Sequence, residues 1–175
     1  MRTKTHKPKY DVRTSLWSSN IKRGVALSDK TATKLKKELD KLCSQYVRLR
    51  DDYTCVICGI RNPVWKHGDW TSAECGHLIT RGKGVIRFDL RPDGNLHCQC
   101  HKCNVTHGGQ HFRFKREIDQ WPYIEWYIKK YGMDKWLRLR KESELKREWK
   151  AWELEELIEA TTIALNQLKN EKGVS

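Results

Sequence analysis

Between about residues 30 and 50, Leu35, Leu39, Leu42, Tyr46 and Leu49 recur at spacings of three and four, the period of one helix stripe, with Asp29 or Thr31 available as a cap. The pattern predicts an amphipathic helix. From 51 to 100 that period is lost. Gly, Pro, Asn and Asp break the chain into short runs, such as 63–66 and 71–78, that suit small hairpin strands and loops. After Asn104 the texture turns helical again. One piece is expected over 112–120, a second starts at Pro122 and stops at Gly132, and a short third covers about 133–140. Ser143 is then expected to cap a long charged helix reaching about Lys169 on Leu145, Trp149, Trp152, Leu157, Thr161, Leu165 and Leu168. That last helix reads as a packing element laid over the core, with dimerisation or DNA binding as the alternative. No internal repeat interrupts this order, and the fold class is α+β.

Composition narrows the partner. Of 175 residues, 38% are hydrophobic and 33% charged, which supports one modest core with solvated flanks. Lys plus Arg is 35 against 22 Asp plus Glu, a net charge of +13 that favours a polyanion, nucleic acid first. Residues 1–30 carry Arg2, Lys4, Lys7, Lys9, Arg13, Lys22, Arg23 and Lys30 and read as a basic arm ordered only in part. No apolar run approaches the roughly 20 residues a membrane helix needs. No apolar segment follows the basic start, so a secretory leader is not expected and a cytoplasmic location is. In that reducing compartment seven cysteines are expected to bind metal or pack as small hydrophobes rather than pair.

Cys55-Val-Ile-Cys58 and Cys100-His-Lys-Cys103 are two C-x-x-C knuckles. Each presents two thiolates able to reach one ion at about 2.3 Å, so the two together complete the closed tetrahedral shell of a structural Zn2+. Gly59 relieves the turn after the first pair. Cys98 could compete as a ligand, whereas Cys43 and Cys75 read as small packing residues. One zinc adds several kcal/mol or more where the core is thin. The long insert between the knuckles carries His77, Asn95 and, at the second knuckle, Asn104. An imidazole titrates near neutrality and can take a proton from water, and an Asn offers an uncharged oxygen to a hard divalent cation. Metal-assisted hydrolysis of a phosphodiester can be run by that set.

Cys55-x-x-Cys58, Gly76-His77, Arg87-Phe88, Asn95-x-His97 and Cys100-x-x-Cys103-Asn104, with the Tyr131-Gly132 turn beyond, resemble the phage NinG/Rap recombination proteins. These are a branch of the HNH (His-Me finger) endonucleases, and the resemblance runs from roughly Leu39 to the C-terminal helix. It implies a treble-clef zinc scaffold with a ββα-metal catalytic hairpin, flanked by an N-terminal helix and C-terminal helices. The implied plan is a basic arm over 1–30, a nuclease core over 31–112 and a helical extension over 113–175. The implied substrates are branched DNA intermediates such as D-loops and Holliday junctions, met by a phage protein inside the bacterial host cell. Carried over, His77 is the general base, Asn95 braces the catalytic loop and helps orient that base, and Asn104 stands where many relatives place a final His ligand. Many relatives have a metal-binding Asp just before the base; here it is Gly76, without a side chain to offer.

The missing ligand of the catalytic Mg2+ or Mn2+ is then sought among Glu74, Asp89, His97 and His107. Strand alternation points Glu74 away from His77 and disfavours it, while His107, three residues past Asn104 on one helix face, is favoured. Arg81, Lys83 and Arg87 surround Gly82 and Gly84 in a segment expected to be mobile and to approach a phosphate, with Arg87 also placed to stabilise transition-state charge. Arg113 and Lys115, with Arg116, Lys129 and Lys130, are solvated helix faces or DNA backbone contacts. Trp65, Trp70 and Trp121 either stack on unpaired bases or pack, and His67 and His111 read as surface histidines. Two rivals stay open. One is a zinc-finger nucleic-acid-binding module without catalysis, which Gly76 favours. The other is a sequence-specific nuclease on the same fold, which the short chain disfavours. Branched DNA is the expected partner, with a homodimer as an open alternative.

Overall fold

A computed structural model describes residues 29–61, 72–82, 84–107 and 120–174. The basic arm up to residue 28, the run 63–66, most of the helix expected over 112–120, and Lys83, Arg113, Lys115, His67, His111, Trp65 and Trp70 lie outside the described residues. The elements are α1 (Asp29–Arg50), β1 (Ala73–His77), a 3₁₀ turn (Gly84–Ile86), β2 (Leu96–Cys100), α2 (His101–His107), α3 (Trp121–Tyr131), α4 (Met133–Glu144) and α5 (Ala151–Lys172). Among the described residues the fold is mixed α+β, several helices around one two-stranded sheet. Among the described residues no helix is long and apolar enough to cross a membrane.

In α1 the buried stripe runs through Leu39, Cys43, Val47 and Leu49, with Leu35 and Tyr46 partly covered. It is rotated from the predicted stripe, so Cys43 and Val47 point inward where Leu42 was expected. Against it packs α5 through Leu154, Leu157 and Ile158, and Phe88 and Leu96 complete that core. An ion pair between Lys172 and Asp52 ties the ends of the two helices.

Where α1 ends, Arg50 becomes a clamp. Its guanidinium donates to the carbonyls of Leu90 (3.1 Å) and Leu96 (2.7 Å) and pairs with Asp51 at 2.7 Å. Asp51 in turn accepts the Cys98 amide at 2.8 Å, fixing β2 to the helix end. Asp52 and Tyr53 follow with φ of 52° and 49°, an uncommon left-handed pair that turns the chain back toward the first knuckle.

The strands pair antiparallel, from Ala73 opposite Cys100 to His77 opposite Leu96. Glu74, Gly76, His97 and Gln99 therefore share one face, and Cys75, His77, Leu96 and Cys98 the other. β2 runs straight into α2. A second core of Leu78, Ile86, Tyr123, Tyr127 and Leu139 joins α3 and α4 to the loop between the strands.

The C-terminal half departs from expectation at one joint. Pro122 opens α3 and Gly132, at φ 93°, closes it as predicted, but α4 continues to Glu144. Ser143 is not a cap. It is buried inside α4, its hydroxyl donating to the Arg140 carbonyl at 2.7 Å. The chain then runs without helix through 146–150, and α5 starts at Ala151, where the Glu153 side chain accepts the Lys150 amide at 2.8 Å. Long-range contacts hold this break open. The Trp149 indole donates to the Gly84 carbonyl at 2.9 Å, its ring packs edge-on against Phe88, and the Arg147 guanidinium lies 3.9 Å from the Trp149 ring centre. The backbone passes Gly84 so closely that a Cβ there would stand 2.6 Å from the Arg147 carbonyl oxygen. Gly84 thus pins the loop expected to be mobile.

Candidate metal centre and catalytic pocket

The first knuckle is a tight turn in which Gly59, at φ 72°, donates to the Cys55 carbonyl and Cys55 donates to that of Ile60, both at 2.9 Å. The second straddles the β2–α2 junction, with the Cys103 amide 3.4 Å from the Cys100 sulfur. The Val56 amide donates to the Cys98 carbonyl at 2.9 Å and brings the two together. The Sγ atoms of Cys55, Cys58, Cys100 and Cys103 all lie within 4.8 Å of one another, and those of Cys58 and Cys100 are 3.8 Å apart. A tetrahedron with arms of about 2.3 Å has edges of about 3.8 Å, so this four-thiol set can bind zinc. Burial pushes Cys100 up to about 11 and Cys103 higher still. For exposed Cys58, burial is outweighed by hydrogen bonds from the Ile60 backbone and the neighbouring thiols, and its pKa falls. Cys98 is no part of this cluster. It pairs across the strands with Cys75, and burial raises both thiols to about 12.

A pocket of about 530 Å³ opens between α1 and β1, lined among others by Asp40, Glu74, His77, Arg81, Arg87 and Asn104. His77 is 6% exposed, and neither ring nitrogen has a hydrogen-bond partner among the described residues. The Arg87 main chain lies near enough to favour the protonated ring slightly without making a bond of ordinary geometry. Burial above all, then the Arg81 cation, holds His77 down at about 4, with Asp40 partly opposing and Arg87 adding to the depression. Asn95 hydrogen-bonds the segment that follows His77. Fully buried, it accepts the Ile79 amide at 2.7 Å and donates to the carbonyls of Ile79 (2.8 Å) and Ile86 (3.3 Å), stitching together the loop after His77.

Asp40 is a pocket residue that sequence reasoning missed. Its carboxylate takes Arg87 in two contacts, Nη2–Oδ2 at 2.6 Å and Nε–Oδ1 at 3.2 Å, and so fixes the guanidinium beside the histidine. The local signal was the polar stripe Asp40, Ser44 and Arg48 at four-residue spacing, all on the pocket wall.

Glu74 was disfavoured as a ligand because strand alternation turns it away from His77. The register does put it on the face opposite His77, yet its Oε2 accepts the Asn104 amide at 2.6 Å and its Oε1 lies 2.6 Å from His101 Nδ1. Because α2 folds back beside a strand of only five residues, the pocket reaches across the strand and both faces contribute. The favoured His107 ends α2 outside that lining. Asp89 is committed to Arg91 at 2.6 Å. His97 has both nitrogens engaged, with the Tyr123 hydroxyl at 3.0 Å and the Pro92 carbonyl at 3.2 Å, and its ring sits 4.7 Å from that of Trp126. Trp121 is 60% exposed, on the first turn of α3.

Burial, reinforced by Arg50, takes His97 to about 3. Both histidines are thus depressed below the unfolded value near 6.5, so the unfolded chain binds protons that the folded rings refuse. The sign follows: stability is intact above about pH 6.5 and is lost as pH falls toward 4 and 3. In a proton NMR titration the ring resonances of His77 and His97 are expected to stay flat from pH 7 to 5; a midpoint near 6.5 for either would contradict its burial.

The family model described as "NinG: Bacteriophage Lambda NinG protein" matches residues 18–172. No curated protein and no solved structure matches the chain.

Proposed function

The chain belongs to the NinG family, and from that premise we propose that it is a metal-dependent DNA endonuclease of the HNH type that cuts branched recombination intermediates. The observation that carries this is His77, a buried imidazole with both nitrogens unpartnered, set in a pocket of arginines and oxygen donors. A histidine kept only for packing normally has its nitrogens satisfied, as His97 does. The succession β1, β2, α2, with Asn95 bracing the intervening loop and a cysteine pair closing the β2–α2 junction, supports a ββα-metal hairpin on a treble-clef zinc scaffold.

His77 is neutral at physiological pH and free to accept a proton from water. A bound phosphodiester offsets the Arg81 and Arg87 cations that depress the ring, so basicity rises when substrate is in place. Arg87, positioned by Asp40, faces the charge that develops on phosphorus. The four-cysteine site offers a closed shell and serves structure rather than catalysis. The Glu74 carboxylate and the Asn104 amide oxygen are hard donors that suit a Mg2+-class ion, and they would hold it. Such an ion, when bound, neutralises charge on the phosphorus and on the departing 3′ oxygen.

The net charge of +13 makes duplex binding a counterion-release process, with log K falling linearly in log salt. A junction offers phosphates from diverging arms, so it should stay bound and be cut where linear duplex has dissociated. Measuring Kd and cleavage of a four-way junction, a D-loop and a linear duplex across about 50 to 200 mM salt tests this. Widening selectivity for the branched substrates is expected. Equal rates on all three throughout would overturn branch selectivity.

A further inference from the structure

The outward face of α1 carries a line of cations. Lys34, Lys37 and Lys41 are exposed at helical spacings of three and four, and Gln45 and Arg48 continue the same face. Elsewhere Lys129, Lys135 and Lys172 each hold a carboxylate, whereas these three lysines make no ion pair among the described residues. Glu38 is exposed beside them and makes none either. Like charges at such spacings oppose a helix, so a face kept only for solubility is expected to mix its signs. Packed against α1, α5 turns the opposite sign outward, with Glu155 and Glu159 exposed. Charge is thus sorted between the two helices. The line of cations is also continuous with the pocket. Lys41, Ser44, Gln45 and Arg48 form part of its α1 wall, and His77, Arg81 and Arg87 line the same cavity. Arg48 is anchored there, its Nε donating to the Ser44 carbonyl at 3.0 Å, which leaves its Nη atoms for a ligand. From Lys34 to Arg48 the helix rises about 21 Å, the axial length of roughly six phosphates on one B-form strand.

We propose that α1 is a rail for the DNA backbone, on which Lys34, Lys37, Lys41 and Arg48 contact phosphates along the strand whose scissile phosphate enters the His77 pocket. The inference rests on the nuclease reading above and deepens it. Cations fixed on one helix set the register of a strand without reading its bases, which suits a protein that selects by DNA shape. Phosphates lying along the stripe also relieve the repulsion among its lysines, which a purely solvated face leaves in place.

The test uses the zinc-loaded full chain and a fluorescent four-way junction, with binding followed by anisotropy across about 50 to 200 mM salt. No Mg2+ or Mn2+ is added, so binding is read without cleavage. Lys34→Gln, Lys37→Gln and Lys41→Gln together should make log K against log salt shallower by about 2.7, from three phosphate contacts at about 0.9 each. Over that salt range the affinity advantage of wild type should then shrink about 40-fold. Tm should stay unchanged or rise, since like charges have been removed. Lys129→Gln, Lys130→Gln and Lys141→Gln remove the same charge from α3 and α4, which contribute no residue to the pocket lining, and should change the slope by less than about 1. If the α1 triple variant is unstable, Lys41→Gln decides alone, with an expected change of about 0.9. A wild-type slope in the α1 variant, or an equal change in both triple variants, would overturn the inference and leave the nuclease reading standing. No junction binding by wild type at any salt, with Mg2+ absent or present, would overturn both.

Discussion

Replacing His77 by alanine is expected to slow cleavage of a four-way junction by roughly 10²-fold or more while zinc content and junction binding persist. The reasons are geometric and electrostatic. The ring is buried at 6% exposure, yet it makes no hydrogen bond that holds the fold together, so its loss removes a proton acceptor rather than a structural link. Asn95 keeps the following loop in place through its bonds to Ile79 and Ile86 whatever stands at 77. Single-turnover rates and gel-shift affinities on the same preparation separate the chemical step from binding. A variant that cuts at the wild-type rate would assign the base to another residue.

The second large effect is on folding. Cys58→Ala together with Cys103→Ala takes one thiolate from each knuckle, and the remaining pair cannot close a tetrahedral shell. The chain is expected to lose its zinc and several kcal/mol or more of stability, read as a collapsed Tm and exposed apolar surface. The loss spreads because the knuckle is tied to β2 through the Val56–Cys98 hydrogen bond and β2 to α1 through Asp51 and Arg50. Elemental analysis showing a full equivalent of zinc retained in the folded double variant would sink the four-cysteine assignment.

The features legible in the sequence were those written in short spacings. The four zinc-competent cysteines announce themselves within C-x-x-C pairs, and α1 and α3 within a helical period and its Pro and Gly punctuation. The bracing geometry of Asn95 was readable only through the resemblance. Asp40 was missed because its partner, Arg87, lies far along the chain: the polar stripe it shares with Ser44 and Arg48 marks a helix face but not the ion pair that tertiary folding creates. The break between α4 and α5 was misread for the same reason. Ser143 has the chemistry of a cap, but the joint is set by Trp149 and Arg147 reaching the Gly84 loop. Glu74 was disfavoured by a sound alternation rule applied to a pocket that does not respect one face of a five-residue strand.

Cleavage itself is the most direct test of the central claim. Zinc-loaded wild-type protein is incubated with an end-labelled four-way junction under single-turnover conditions with Mg2+, with Mn2+, or with EDTA added so briefly that retained zinc can be verified. Cutting that requires Mg2+ or Mn2+ and stops in EDTA while zinc stays bound is the predicted result. Intact junction in all three conditions, with binding preserved, would contradict it and leave a zinc-binding protein that holds DNA without cutting it.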